Sequence, residues 1–311
     1  MNIRPFEMGE EKYHPPLSVF HGLPQSNLRQ LTPDIEDPEV GSYASPDWSP
    51  DGQWVAFDGW TGRAETTHCY LIRADGTGVR DIGEGTMPTF SPDGQRLALT
   101  WSLNGMATMD LTGKDRQVVT PEGWGAQWSP DGKWIAYESR SRVNGSYSAN
   151  LTIIDLKTKQ KRTLLEGEHA TRYSQIFWNT AWSPDSRQIA FKGNVKGGQT
   201  EIVITSVDGS AKGHRVVSAE TFDPDMAWHP DGKRLMLARV SQTHSGKRLF
   251  VYNLVESKLS LLESQPMDRI NHHGVWSPDG SQIVFSSSPV AGPIPWKPKM
   301  PAQPSTTNAG E

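Results

Sequence analysis

Two adjacent imidazoles, His272 and His273, and two carboxylates one residue apart, Asp223 and Asp225, are the residues in this chain best suited to holding a metal ion. Converging on one point, they would take a divalent cation. Such a site needs three or four convergent ligands. Consecutive residues of a regular strand point to opposite faces, so at most one of the two histidines is expected to face a shared centre. The reading is therefore polar lining with no metal and no cofactor. The alternative is a divalent cation held by His272, His273 and Asp225. Arg172, Tyr173 and Trp178 lie within the loop-like stretch from Glu166 to Asn179, which also carries His169. A stretch of that length between strands is where binding groups are expected. Tyr43 and Trp124 complete the candidate ligand-binding set.

Other chemistries lack their residues. There is no Gly-x-Ser-x-Gly elbow for an attached hydrolase. The run Gly83-Glu84-Gly85-Thr86-Met87-Pro88 misses the last glycine of a dinucleotide fingerprint. Cys69 is the single cysteine, which leaves no intrachain disulfide and no cysteine-based zinc site. Net charge is −4, from 31 basic and 35 acidic residues, and neither sign forms a long run. That balance argues against nucleic acid as a partner. No stretch approaches the roughly 20 apolar residues of a membrane span. The polar start, Met1 to Pro16, has no apolar core of a secretory signal. Cytoplasmic residence is expected, with the periplasm as the alternative.

The elements that must position these side chains are announced by one phrase. Trp48-Ser49-Pro50-Asp51-Gly52 recurs at Phe90–Gly94, Trp128–Gly132, Trp182–Ser186, Trp228–Gly232 and Trp276–Gly280. Counted from the second residue, the spacings are 42, 38, 54, 46 and 48, close to the length of one propeller blade. Each copy supplies Pro and Asp, and all but the fourth supply Gly, where a tight hairpin turn requires them, so the six Asp residues are assigned to turn structure. Ser186 replaces Gly in the fourth copy, which predicts the least regular turn there. His229 replaces Ser in the fifth and is read as exposed. The recurring aromatic is read as packing between blades.

Short β-branched and aromatic runs follow each phrase, and helical periodicity is absent, so the fold class is all-β. The sixth unit stops after Gln282 to Phe285, and six prolines from Pro289 to Pro304 rule out further central strands. Two unassigned strands, Leu17 to Phe20 and Leu28 to Leu31, remain at the other end. Closure follows: a six-bladed β-propeller of four-stranded blades, its last blade completed by N-terminal strands. The organisation expected is an extension over 1–16, one propeller over 17–288 and a Pro-rich disordered tail over 289–311. Ser139 to Asn150 is read as a long excursion. The loop face would gather Tyr43 and Asp47, Met87, Trp124 and Gln127, Arg172, Tyr173, Trp178 and Asn179, Asp223 and Asp225, and His272 and His273, one group from each blade in turn.

The repeated aromatic-Ser-Pro-Asp-Gly phrase with its following strand resembles the WD40-like (PD40) repeat of TolB-type β-propellers, over about residues 17 to 288. The resemblance implies a six-bladed ring and a non-enzymatic role: binding a protein or peptide partner through the loop and channel face. The same repeat resembles the propellers of oligogalacturonate lyases and of prolyl oligopeptidase-like enzymes. A metal-assisted polysaccharide lyase is therefore the alternative function.

Overall fold

The computed structural model describes residues 17–21, 28–32, 40–61, 67–101, 104–143, 146–210, 213–220, 222–240, 246–263 and 265–289. The expected extension over 1–16 and the tail beyond 289 lie outside the described residues.

Among the described residues, twenty-five strands form six antiparallel sheets. The chain begins with β1 (Leu17–His21) and β2 (Leu28–Gln30). The first blade is β3 (Val40–Trp48), β4 (Trp54–Thr61), β5 (Thr67–Arg73) and β6 (Arg80–Glu84). The second is β7 (Thr86–Phe90), β8 (Arg96–Thr100), β9 (Met106–Asp110) and β10 (Gln117–Thr120). The third is β11 (Trp124–Trp128), β12 (Trp134–Val143), β13 (Ser146–Asp155) and β14 (Lys161–Thr163). In the fourth, a split inner strand, β15 (Tyr173–Ile176) and β16 (Ala181–Trp182), pairs with β17 (Gln188–Val195), followed by β18 (Thr200–Ser206) and β19 (Arg215–Ser218). The fifth is β20 (Met226–Trp228), β21 (Arg234–Val240), β22 (Lys247–Asn253) and β23 (Lys258–Leu261). The sixth has β24 (Arg269–Trp276) and β25 (Gln282–Pro289), and β1 pairs with β25 from Leu17↔Ser286 to His21↔Gln282. The two ends of the chain therefore share one sheet. The inner strands touch in the cycle β3, β7, β11, β16, β20, β24 and back to β3. The ring is closed, with no blade edge left at a seam.

The turn phrase works as its chemistry dictates. In the five serine copies the hydroxyl donates to the Asp Oδ1, between 2.5 Å at Ser49 and 2.7 Å at Ser129. Hydrogen bonds from the hydroxyls of Ser277 and Ser281 and from the Ser281 N–H bring Asp279 down to about 2. The fourth turn is as regular as the others, contrary to expectation. Ser186 adopts φ +59° and donates its N–H to Ser183 O at 2.9 Å, and its hydroxyl accepts the N–H of Asp131 in the neighbouring turn at 3.0 Å. That inter-blade bond offsets the cost of a left-handed residue with a Cβ. His229 is buried, not exposed. Its Nδ1 lies 3.0 Å from Asp231 Oδ1 in place of the serine hydroxyl, and Arg234 Nη2 donates to Nε2 at 2.8 Å. The ring occupies space left by the bare Cα of Gly280, whose added Cβ would stand 2.7 Å away. Ser139 to Asn150 is not an excursion but the extended end of the β12–β13 hairpin, paired up to Val143↔Ser146.

Blades are also tied by a second repeated position, ten residues after the aromatic: Asp58, Thr100, Glu138, Lys192, Ala238 and Ser286, all buried. Asp58 Oδ2 accepts the Met87 N–H at 2.9 Å and Thr100 Oγ1 that of Gly125 at 3.0 Å, each in the next blade. Ser286 donates to Tyr43 O at 3.2 Å. Thr100→Val keeps the shape and strands the Gly125 N–H. Urea titration is expected to show a loss of about 1–3 kcal/mol.

Candidate functional site

Three residues before each aromatic stand Ser45, Met87, Gly125, Asn179, Asp225 and His273. This position is left-handed in four blades, with φ of +47° at Ser45, +53° at Met87, +75° at Gly125 and +51° at His273. The ladder shifts register at the same place, between Ala44 and Asp47, Thr86 and Thr89, Trp124 and Gln127, and His272 and Val275. Each of these four inner strands thus carries a bulge that inserts one residue and re-aims the side chains around it. Every position in this register except Gly125 lines a central cavity of about 60 Å³, to which all six blades contribute.

On blades four to six the three polar members of this register form one network. Asn179 Nδ2 donates to Asp225 Oδ1. His273 Nε2 lies 3.0 Å from the same oxygen, and the His273 N–H donates to Oδ2 at 3.4 Å. Asp225 replaces here the tie that Ala238 cannot make. His272 Nδ1 is 3.8 Å from Asp225 Oδ2, and the two imidazoles sit 4.3 Å apart, centroid to centroid. The expectation that only one histidine could face a shared centre is therefore corrected: the left-handed residue at the bulge breaks strand alternation, so both rings reach one carboxylate.

Burial alone would raise the Asp225 pKa, but the charge and hydrogen bond of His273, with His272 and Lys247 beyond, hold the carboxyl well below its ordinary range. Burial pulls His273 down, and Asp225 more than restores it. His272 is pushed down to about 3 by burial and by His273. The network is thus an ion pair flanked by a neutral imidazole, one carboxylate and one free ring offering ligand atoms.

Other anticipated residues are distributed differently. Asp223 is held in an ion pair with Lys247 at 2.7 Å and does not line the cavity. Trp178 packs on Gly125, whose added Cβ would fall 2.4 Å from Trp178 O, and Trp124 stands beside it, partly exposed. Tyr43 is buried in the first blade against Phe57 and Tyr70 and does not line the cavity. Arg172 and Tyr173 belong to a separate cluster on the fourth blade. Arg172 grips Glu201 with two bonds, 2.5 and 3.2 Å, and Tyr173 OH donates to Glu201 at 3.1 Å while meeting His214 Nε2 at 3.1 Å. His169, from a short 3-10 helix at Gly167–Thr171, stacks on His214 at 3.7 Å. Sequence reasoning missed Lys192, buried under the fourth blade with Nζ donating to Phe222 O and facing the Phe177 ring at 4.4 Å. Burial lowers its pKa. The signal was available: Lys192 holds the inter-blade register of Asp58 and Thr100.

His214, held to about 4 by burial and by His169 and Arg172, gives a pH prediction. Unfolded imidazoles take protons below about 6.5. Between that value and about 4 the unfolded chain binds the extra proton, so stability falls as pH drops through this window. Melting followed by circular dichroism is expected to lose several degrees from pH 7 to 4.5, and His214→Gln should flatten that slope.

No family model matches the chain. Among curated proteins, an uncharacterized peptidase, YuxL, of Bacillus subtilis is 27% identical over 177 residues, covering 55% of this chain and 23% of the relative. The chain thus spans about a quarter of that relative's length. Among solved structures, a protein of Agrobacterium tumefaciens assigned as TolB superposes with a TM-score of 0.63 at 19% identity, covering 91% of this chain and all of that one. The fold is a TolB-type β-propeller. An oligogalacturonate lyase in complex with manganese shares it with a TM-score of 0.52 at 14% identity, over 93% of this chain and all of that one.

Proposed function

We propose that this chain is a binding propeller that takes a protein or peptide segment across its loop face, over the mouth of the channel. The size of the channel carries this reading. A free volume of about 60 Å³ is far below the roughly 300–1,000 Å³ of small-molecule sites. A partner can insert only the tip of a side chain there and must draw the rest of its affinity from the surrounding loops. Trp124 and Trp178 are partly exposed, as is Arg172. These are residue types that dominate protein interfaces. Selection of a random peptide display library on the immobilised protein tests this. Peptides should enrich and lose at least about tenfold in affinity when Trp124 and Trp178 are both replaced by Ala, the scale of one interface hot spot. No enrichment, or peptides indifferent to those substitutions in a folded variant, would remove the proposal.

A second reading rests on the convergence of Asp225, His272 and His273, whose donor atoms lie within 4.8 Å of one another. One ionised carboxylate and two imidazoles, one of them kept neutral by burial, suit a first-row divalent ion with open positions. Such an ion, when bound, would polarise or hold a ligand carboxylate at the channel mouth, as a lyase of acidic sugars requires. Metal analysis of the purified protein, melts with EDTA and with added Mn²⁺ or Ca²⁺, and an assay on oligouronides decide it. A saturable rise in Tm with turnover supports the lyase, and absence of both metal and shift removes it.

A further inference from the structure

One residue before the aromatic, the repeat offers an internal control on Asp47. In the second blade Thr89 occupies this position, and its hydroxyl accepts the Trp128 N–H of the next blade at 3.2 Å. In the first, Asp47 Oδ2 accepts the Phe90 N–H at 2.7 Å. A hydroxyl therefore suffices for the tie, and Ala181 and Ala227 do without it. The charge of Asp47 is surplus to the fold.

That charge is also unmatched. Among the described residues Asp47 enters no ion pair. The other titratable groups lining the cavity, Asp225 and His273, are paired with each other at 3.0 Å. Asp58, behind Met87, is engaged by the Met87 N–H. Burial, only partly offset by the N–H groups of Phe90 and Trp48, raises Asp47 to about 7, and no neighbouring charge corrects it. A carboxylate partly withdrawn from water without a counter-charge carries a cost, and a cation at this point would offset it.

The rest of the cavity says which cation. Met87, Met226, Pro46 and Pro88 give apolar walls, and Ser45 and Gln127 stand among them with oxygen acceptors. Hard divalent ions require six to eight oxygen ligands, and the second carboxylate of the lining, Asp225, is already engaged by Asn179 and His273. The small free volume, about 60 Å³, suits a compact ammonium head, itself the size of a water, with part of its stem. We propose that the channel receives a primary ammonium at the end of an aliphatic stem, a partner's lysine side chain, with Asp47 as its counter-ion. This rests on the loop-face binding reading and names the chemical group that reading leaves open.

The test uses n-butylammonium as probe, with n-butanol, guanidinium and Ca²⁺ as controls, read as a shift in Tm. Asp47→Thr keeps the hydroxyl tie of the second blade, and Asp47→Asn keeps the shape should the first variant fold poorly. Butylammonium should stabilise the wild type saturably and neither variant. Its affinity should fall about tenfold from pH 8 to pH 6 as Asp47 takes up a proton, since the amine stays charged throughout. In peptides recovered by library selection, Lys→Ala at one position should abolish binding. The proposal is overturned if butylammonium has no saturable effect, if Asp47→Thr responds like the wild type, or if guanidinium or Ca²⁺ acts equally well. Peptides that bind regardless of Asp47 would sink the ammonium site and leave the loop-face reading standing. Amine binding without any selected peptide would do the reverse.

Discussion

Arg248→Leu should cost the fold about 3–5 kcal/mol, because it withdraws a buried cation from several carbonyl groups at once. Arg248 is fully buried. Its Nη1 donates to Lys247 O at 2.7 Å and to Arg269 O, and its Nη2 donates to Met267 O. Leucine fills part of the volume and supplies no donor. The loss should extend to the site, because this guanidinium anchors the entry to the sixth blade. Gln265 and Asn271 continue the same network, with Gln265 bonded to both backbone groups of Leu249 at 2.8 Å and Asn271 to Pro266 O at 2.7 Å. His272 follows directly. A drop in Tm of roughly 5–10 °C is expected, and Arg248→Lys should recover less than half of it, since an ammonium cannot span the same carbonyls.

Asp225→Ala is expected to be of similar size, about 3–5 kcal/mol at pH 7, the usual cost of removing one partner of a buried ion pair. Three groups lose their acceptor: the Asn179 amide, the His273 ring and the His273 N–H. Asp225→Asn should cost less, because one amide oxygen still serves the His273 ring or backbone. The pH dependence carries a sign. Since the carboxyl is held below its ordinary range in the fold, its stabilisation is present above about pH 4 and lost as pH falls through the folded value. The difference in urea midpoint between wild type and Asp225→Ala should therefore shrink in strong acid. His273, raised by Asp225, contributes below its unfolded value of about 6.5 and loses that contribution as pH rises through its folded value.

The six blades, their order and the closure by β1 and β2 were legible because each turn phrase uses residues with few other uses: Pro for φ, Asp for the local bond, Gly for the left-handed corner. The inner-strand bulge was not legible. It places a left-handed backbone on Ser45, Met87 and His273, residue types that carry no signal for it, and only Gly125 hints at the position. Without the bulge, alternation assigns His272 and His273 to opposite faces, which is a correct rule applied where the ladder is broken. Arg172 and Tyr173 illustrate a different limit. A long connecting stretch rich in polar aromatics points to ligand contact and gives no sign that both residues also secure Glu201. That partner lies 28 residues from Tyr173 on another strand, beyond any local pattern. Histidine at a surface turn is commonly exposed, whereas His229 is buried because Gly280, one blade away, leaves room for its ring.

Histidine ring NMR across pH most directly tests whether one carboxylate organises both channel imidazoles. In the wild type His272 should stay neutral until about pH 3, while His273 holds its proton above the usual histidine range. In Asp225→Asn the His273 titration should fall back below it. Two histidines that titrate together near 6.5, unmoved by that substitution, would contradict the bulged inner strands and the shared site they create.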